Sequence, residues 1–173
     1  DRVVPPAVPA SEENSVTVMI DGANRFALAY GLKVEKAAAA LPQTTVGNLF
    51  TVTGGRVVVT SILGEVVTII QNQANNTKLS SNPTTGSTVD LCAVVDVANL
   101  EAGGFLSLTP DLDATPFSVA LAKQNAGAIS LPVCGIVVPA GAIELNCAAS
   151  NTGTVKWMLS YVPLDSGAAV AAA

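Results

Sequence analysis

Thirteen carboxylates, three cysteines and one Asn-X-Thr triplet are the side chains of this 173-residue sequence that could do chemistry, and no histidine stands among them. Without an imidazole, the usual serine and cysteine triads lose their proton carrier and most metal sites lose a ligand. A glycosidase needs two carboxylates across a cleft. The Asp and Glu residues here are scattered through turns, and the sequence brings no two together. Asp111 and Asp113, in Pro-Asp-Leu-Asp-Ala-Thr-Pro, look like a fragment of an oxygen-ligand calcium loop, but a full loop needs more ligands and a closing acidic residue. Solvated loop carboxylates are the plainer reading. Cys92, Cys134 and Cys147 lack the spacing of a zinc site. A four-residue hairpin loop over Pro139–Ala142 would set Cys134 opposite Cys147, where a disulfide is conceivable. Directly opposed strand positions strain such a bridge, and the apolar neighbours favour buried free thiols. Asn75-Asn76-Thr77 fits the glycosylation sequon, a triplet common by chance. No catalytic, cofactor-binding or metal-ligating residue is assigned, no cofactor is expected, and the chain is expected not to be an enzyme.

The elements that would position such residues are written in the apolar half of the composition. Hydrophobic residues make up 50 % of the chain, charged residues 12 % and aromatic residues 4 %. The apolar share comes as short runs of Val, Ile, Leu and Ala broken by Gly, Pro, Asn or Thr. A net charge of −5 with only eight basic residues, none concentrated in one window, argues against nucleic acid as a direct partner. The mean hydropathy of +0.51 is high for a soluble monomer. The longest weakly charged run, Val57–Ile70, contains Gly64 and Glu65 and falls short of the roughly 20 apolar residues of a membrane helix. Outer-membrane strands would carry aromatic girdles. No membrane partner is therefore expected; subunit interfaces that bury apolar patches are. The sequence starts at Asp1 without a signal-peptide pattern.

Pro5, Pro6 and Pro9 favour an extended, polyproline-like start. Val16, Val18 and Ile20, then Asp21-Gly22, then Phe26, Leu28 and Tyr30 read as a hairpin. Lys33–Leu41, with four alanines, reads as a short helix stopped by Pro42. Residues 1–45 are thus expected to form an N-terminal arm with a hairpin and a short helix, the alternative being the ordinary first third of one domain. Residues 46–165 are expected to form a β-sandwich core and residues 166–173 a C-terminal tail. Within the core, strands are predicted over Asn48–Thr53, Arg56–Leu63 and Glu65–Gln71, with a bulge or bend at Gly64. Further strands are predicted at Lys78-Leu79, Val89–Val97, Phe105–Thr109, Phe117–Ala122, Leu131–Val138 and Ala142–Cys147. The last strand alternates most cleanly: Val155, Trp157, Leu159 and Tyr161 share one face. Val57-Val58-Val59 and Ile69-Ile70 are apolar on both faces, as in a sheet covered on both sides. About ten short strands in all predict an all-β fold, a β-sandwich, jelly-roll-like or barrel.

From Asn48 onward the phrases resemble a known style. Leu49–Val66 (Leu-Phe-Thr-Val-Thr-Gly-Gly-Arg-Val-Val-Val-Thr-Ser-Ile-Leu-Gly-Glu-Val) resembles a segment in small structural proteins of tailed bacteriophages. So do Asn82–Ser87 with Asp90-Leu91-Cys92, and Asn151–Trp157 followed by Tyr161–Leu164. Residues 1–45 carry none of it. The resemblance implies a virion component, most plausibly a capsid decoration (cement) protein on the capsid outer surface. Such a protein assembles as a homo-oligomer, typically a homotrimer, and braces the major capsid protein. Other virion parts (tail, head fibre, minor capsid protein) and an extracellular binding or adhesion module are the alternatives. On the first reading, Arg56 and Glu65 are candidates for a pair across an interface.

Overall fold

The structure is a computed structural model and describes residues 30–108, 117–119 and 135–173. Its strands are β1 (Leu32–Ala40), β2 (Val46–Thr53), β3 (Val57–Thr68), β4 (Asn76–Pro83), β5 (Val89–Asp90), β6 (Val95–Asp96), β7 (Phe105–Leu108), β8 (Phe117–Val119), β9 (Ile136–Val138), β10 (Gly141–Cys147), β11 (Thr154–Pro163) and β12 (Ala169–Ala172). They form two six-stranded sheets. The first runs β1-β11-β3-β7-β8, with β9 also on β3; the second runs β12-β2-β10-β4-β5, with β6 also on β4. Every pairing is antiparallel. The two sheets share one core. Val57, Val59, Ile62, Val66, Leu106, Val155, Trp157 and Leu159 come from the first sheet, and Phe50, Val52, Leu79, Ile143, Leu145 and Val170 from the second. The all-β sandwich expected from the sequence is the architecture found.

Strand periodicity explains which side chains enter that core. Along β11, Val155, Trp157, Leu159 and Tyr161 are buried, as their spacing requires, while Thr154, Lys156 and Met158 lie on the other face and are half-buried. Val57 and Val59 point inward and Val58 outward. Gly103-Gly104 leads into β7 and Gly54-Gly55 turns β2 into β3, as the sequence predicts.

Several expectations are corrected. The helix expected over Lys33–Leu41 is strand β1. It pairs with β11, with Leu32 opposite Tyr161 and Lys36 opposite Trp157. Alanine favours helix, but a helix of about two turns has little stability of its own. The ladder to β11, with Val34 against the core and Leu41 buried, outweighs that preference. Residues 32–41 therefore belong to the sandwich. The expected tail, 166–173, contains β12, which pairs with β2 and buries Val170.

The strand pair expected on either side of Gly64 is the single strand β3. Its irregularities fall at Thr60 and Val67, the residues skipped in the pairing with β11. Gly64 instead lies opposite Trp157, where a Cβ would approach the indole to 2.9 Å. The strand expected over Val89–Val97 is two short strands, β5 and β6, which flank buried Leu91 and Cys92 and both pair with β4. Pro139-Ala140 does not close a hairpin, because β9 belongs to the first sheet and β10 to the second. At this corner Gly141 has φ 150°, and a Cβ there would meet the Asn82 carbonyl oxygen at 2.3 Å. The prolines of the first ten residues and, apart from Tyr30, the hairpin expected over Val16–Tyr30 lie outside the described residues.

Candidate functional site

The residues singled out for chemistry do not converge. Asp111, Asp113 and Cys134 lie outside the described residues. Cys92 and Cys147 are buried free thiols. Cys92 Sγ accepts the Leu79 amide at 3.1 Å, and burial pushes the Cys92 pKa up to about 11. Cys147 accepts a longer contact from Thr77 Oγ1 at 3.7 Å, and burial raises its pKa too. Both are poor nucleophiles at neutral pH. Cys147 sits on β10 opposite Thr77, so the strand partner the sequence proposed for it is replaced by β4. Among the described residues no group of three or more His, Cys, Asp or Glu is placed to hold a metal ion. No helix among them is long and apolar enough to cross a membrane.

Asn75 of the sequon is fully buried and acts as a structural clasp. Its Nδ2 donates to the Ala149 carbonyl and its Oδ1 accepts the Ala149 amide, each at 3.1 Å. Its own amide donates to Asp96 Oδ1. Asn151 Nδ2 likewise ties down the Gln71 and Gln73 carbonyls. Within the chain, Arg56 pairs with Asp165. Its Nε and backbone amide donate to Asp165 Oδ2 at 2.9 and 2.7 Å, and a terminal nitrogen reaches Oδ1 at 2.8 Å. The guanidinium and backbone amide of Arg56 hold the Asp165 carboxyl down at about 2. This clasp joins the β2–β3 turn to the segment between β11 and β12.

What distinguishes the molecule is the contrast between its two outer faces. On the first sheet, the register sets Val162 opposite Val58 and Val58 opposite Val137, so three valines form one row across β11, β3 and β9. Val162 is 43 % exposed, Val137 55 %, and Leu164 just beyond is 49 % exposed. Beside this row Ser61 and Ser160 pair across the strands, fully buried, with no hydrogen-bond partner for either hydroxyl. Charges gather at the other end of the same face, where Lys156 lies opposite Glu65 and close enough to Glu35 to lower its pKa, after the larger effect of the Lys33 hydrogen bond.

The outer face of the second sheet is mostly polar, although Val46, opposite Asn146, is 51 % exposed there. At its centre on β10, Glu144 is buried among neighbouring side chains and accepts hydrogen bonds from Asn82 Nδ2 (2.8 Å) and Ser80 Oγ (3.4 Å). Asn146 donates to Ser80, and Lys78 pairs with Asp90. The alternation Ile143-Glu144-Leu145 was the sequence signal that could have placed Glu144 on this face. Nothing in the sequence announces that its neighbours bury it.

The chain matches no known family model, no curated protein and no solved structure. The surfaces themselves must carry the functional reading.

Proposed function

We propose that this chain is a structural component of a tailed-phage virion, a capsid decoration protein that associates with copies of itself and braces the major capsid protein. The observation that carries the reading is the apolar row Val137–Val58–Val162 with Leu164 on the first sheet's outer face. A contiguous patch of branched aliphatic side chains on a sheet face is a mark of association. The opposite face is mostly polar, with Glu144, Asn82, Ser80 and Asn146 hydrogen-bonded among themselves, which suits the side left to solvent. The resemblance of Leu49–Val66 and the other phrases to phage structural proteins suggests the kind of assembly, and the trimer is the stoichiometry that resemblance implies. Binding only the assembled shell would stabilise that state by mass action.

Sedimentation tests the reading directly. The wild-type chain is expected to sediment as an oligomer and to bind phage heads that lack it. The double variant Val137→Asp/Val162→Asp, altered at two exposed positions, is expected to stay folded, to shift toward monomer and to lose the heads. A wild-type chain that is monomeric at high concentration and ignores the heads would sink the proposal.

A further inference from the structure

The outer face of the first sheet carries a shallow trough that crosses its strands. The floor is Ser61 and Ser160, opposite each other on β3 and β11. One wall is the valine row of Val58 and Val162, and the other is Leu63 opposite Met158. Serine is shorter than any of these four, so the surface dips between them. An open dip would leave both serines to water. Instead both are 0 % exposed, and neither hydroxyl has a hydrogen-bond partner among the described residues. Buried hydroxyls are ordinarily paired, so a group that carries donors and acceptors lies over this floor. The course of the backbone says which. Leu32 lies in β1, opposite Tyr161 of β11. Gly31 leaves the strand with φ 91°, and a Cβ there would run into the Tyr161 carbonyl and come within 2.9 Å of Val162 Cγ2. The Tyr30 carbonyl accepts a hydrogen bond from Thr60 Oγ1 on β3, the residue before Ser61. Towards the N-terminus, three successive residues thus step from β1 across β11 to β3 over the outer face. The described chain begins at the edge of the trough, with 29 residues of sequence before it.

We propose that residues 27–29 of the same chain continue this path through the trough, so that residues 27–30 close over the serine pair as an added layer on the first sheet. Their backbone N–H and C=O groups would pair the orphaned hydroxyls of Ser61 and Ser160. Ala27 and Ala29 alternate with Phe26 and Leu28, so an extended segment here has one small side. Methyl groups on that side let the backbone come down to the serines, where Phe or Leu would hold it off. At about 3.4 Å per residue, residues 27–29 cover about 10 Å, two strand spacings. The valine row stays beside this layer as a wall, and the layer forms in the isolated chain whether or not the chain assembles.

Ser61→Cys in the full-length chain makes the floor readable by alkylation with iodoacetamide, followed on the peptide that carries position 61. The reaction is expected to be slow. Adding Ala27→Glu/Ala29→Glu, whose side chains do not fit against the serines, is expected to raise the rate about tenfold by favouring the open state of the layer. Circular dichroism establishes that both forms keep the β-sheet signature. A second variant, Ala29→Cys/Ser61→Cys, is expected to close an intrachain disulfide on mild oxidation, identified by peptide mapping apart from the native cysteines and retained on dilution. Alkylation of the parent Ser61→Cys chain at the rate of an exposed cysteine would overturn the proposal, because the floor is then open. A slow rate unmoved by Ala27→Glu/Ala29→Glu would overturn it in favour of another covering segment. Absence of the intrachain cross-link, or its appearance only between chains, would overturn it as well.

Discussion

Gly64 shows how one residue without a side chain fixes the placement of the largest one. The indole of Trp157 lies over it across the β3–β11 pair, and the ring atoms Cζ3 and Cη2 stand 2.9 and 3.0 Å from where a Cβ would be. The indole is only 2 % exposed, and it is its ring atoms, not a flexible chain end, that would meet the added Cβ. Gly64→Ala is therefore expected to destabilise the fold by about 1–3 kcal/mol, the usual cost of overpacking, measured by denaturant unfolding followed through Trp157 emission. Asp165 gives a second prediction, in pH. Its folded pKa of about 2 lies below the ordinary aspartate value of 3.8, held there by the hydrogen bonds from the Arg56 side chain and backbone amide. A depressed carboxyl contributes stability that is complete above the unfolded pKa and is lost as pH falls through the folded one. Thermal midpoints of the wild type should thus fall between about pH 4 and pH 2 more steeply than those of Asp165→Asn, which has no such proton to take up. Equal slopes would show that the clasp with Arg56 contributes nothing to the folded state. At this scale the sequence was informative about burial and silent about partners. The apolar surroundings of Cys92 and Cys147 gave their free thiols, whereas the Arg56–Asp165 pair joins residues 109 positions apart and has no local signature.

Among the elements, β1 carries the clearest lesson. Read alone, Lys33–Leu41 is a helix, because alanine propensity is a local quantity. In the molecule it is an edge strand, because β11 presents a ladder and the core has room for Val34. Tertiary context of this kind overrides intrinsic preference most easily in short segments. The consequence is testable by truncation. Removing residues 1–45 takes away all of β1 and the buried Leu41, and should lower the melting temperature well below that of a chain lacking only residues 1–29. Equal melting temperatures would mean that β1 is dispensable to the sandwich. The opposite case is β11, whose alternation of Val155, Trp157, Leu159 and Tyr161 was fully legible, since the side-chain period of a strand repeats every two residues whatever its neighbours. Between these cases lies the Pro139–Gly141 corner. A short proline-glycine turn looks the same whether it joins two strands of one sheet or passes from one sheet to the other, and only packing decides. The candidate surface has the same character. The outward position of Val58 was readable from its neighbours, but the row it forms with Val137 and Val162 depends on the register of three strands distant in sequence.

The whole molecule is interleaved. The chain passes from β1 in the first sheet to β2 in the second and back to β3, then places β4 to β6 in the second sheet, β7 to β9 in the first, and finally alternates through β10, β11 and β12. Two late strands occupy central positions: β10 lies between β2 and β4, and β11 between β1 and β3. Long-range pairings of this kind must meet their loop-closure cost before the contacts that repay it form, which makes such folds slow. A chain emerging from the ribosome would expose the unfilled slots of both sheets until its final quarter had been made. A fragment ending at Pro139 lacks both central strands, and is expected to show no cooperative unfolding and to be digested rapidly by protease. Synthesis of this protein is therefore all-or-nothing: its last strands complete both sheets, and a prematurely terminated product has no finished sandwich to fold into.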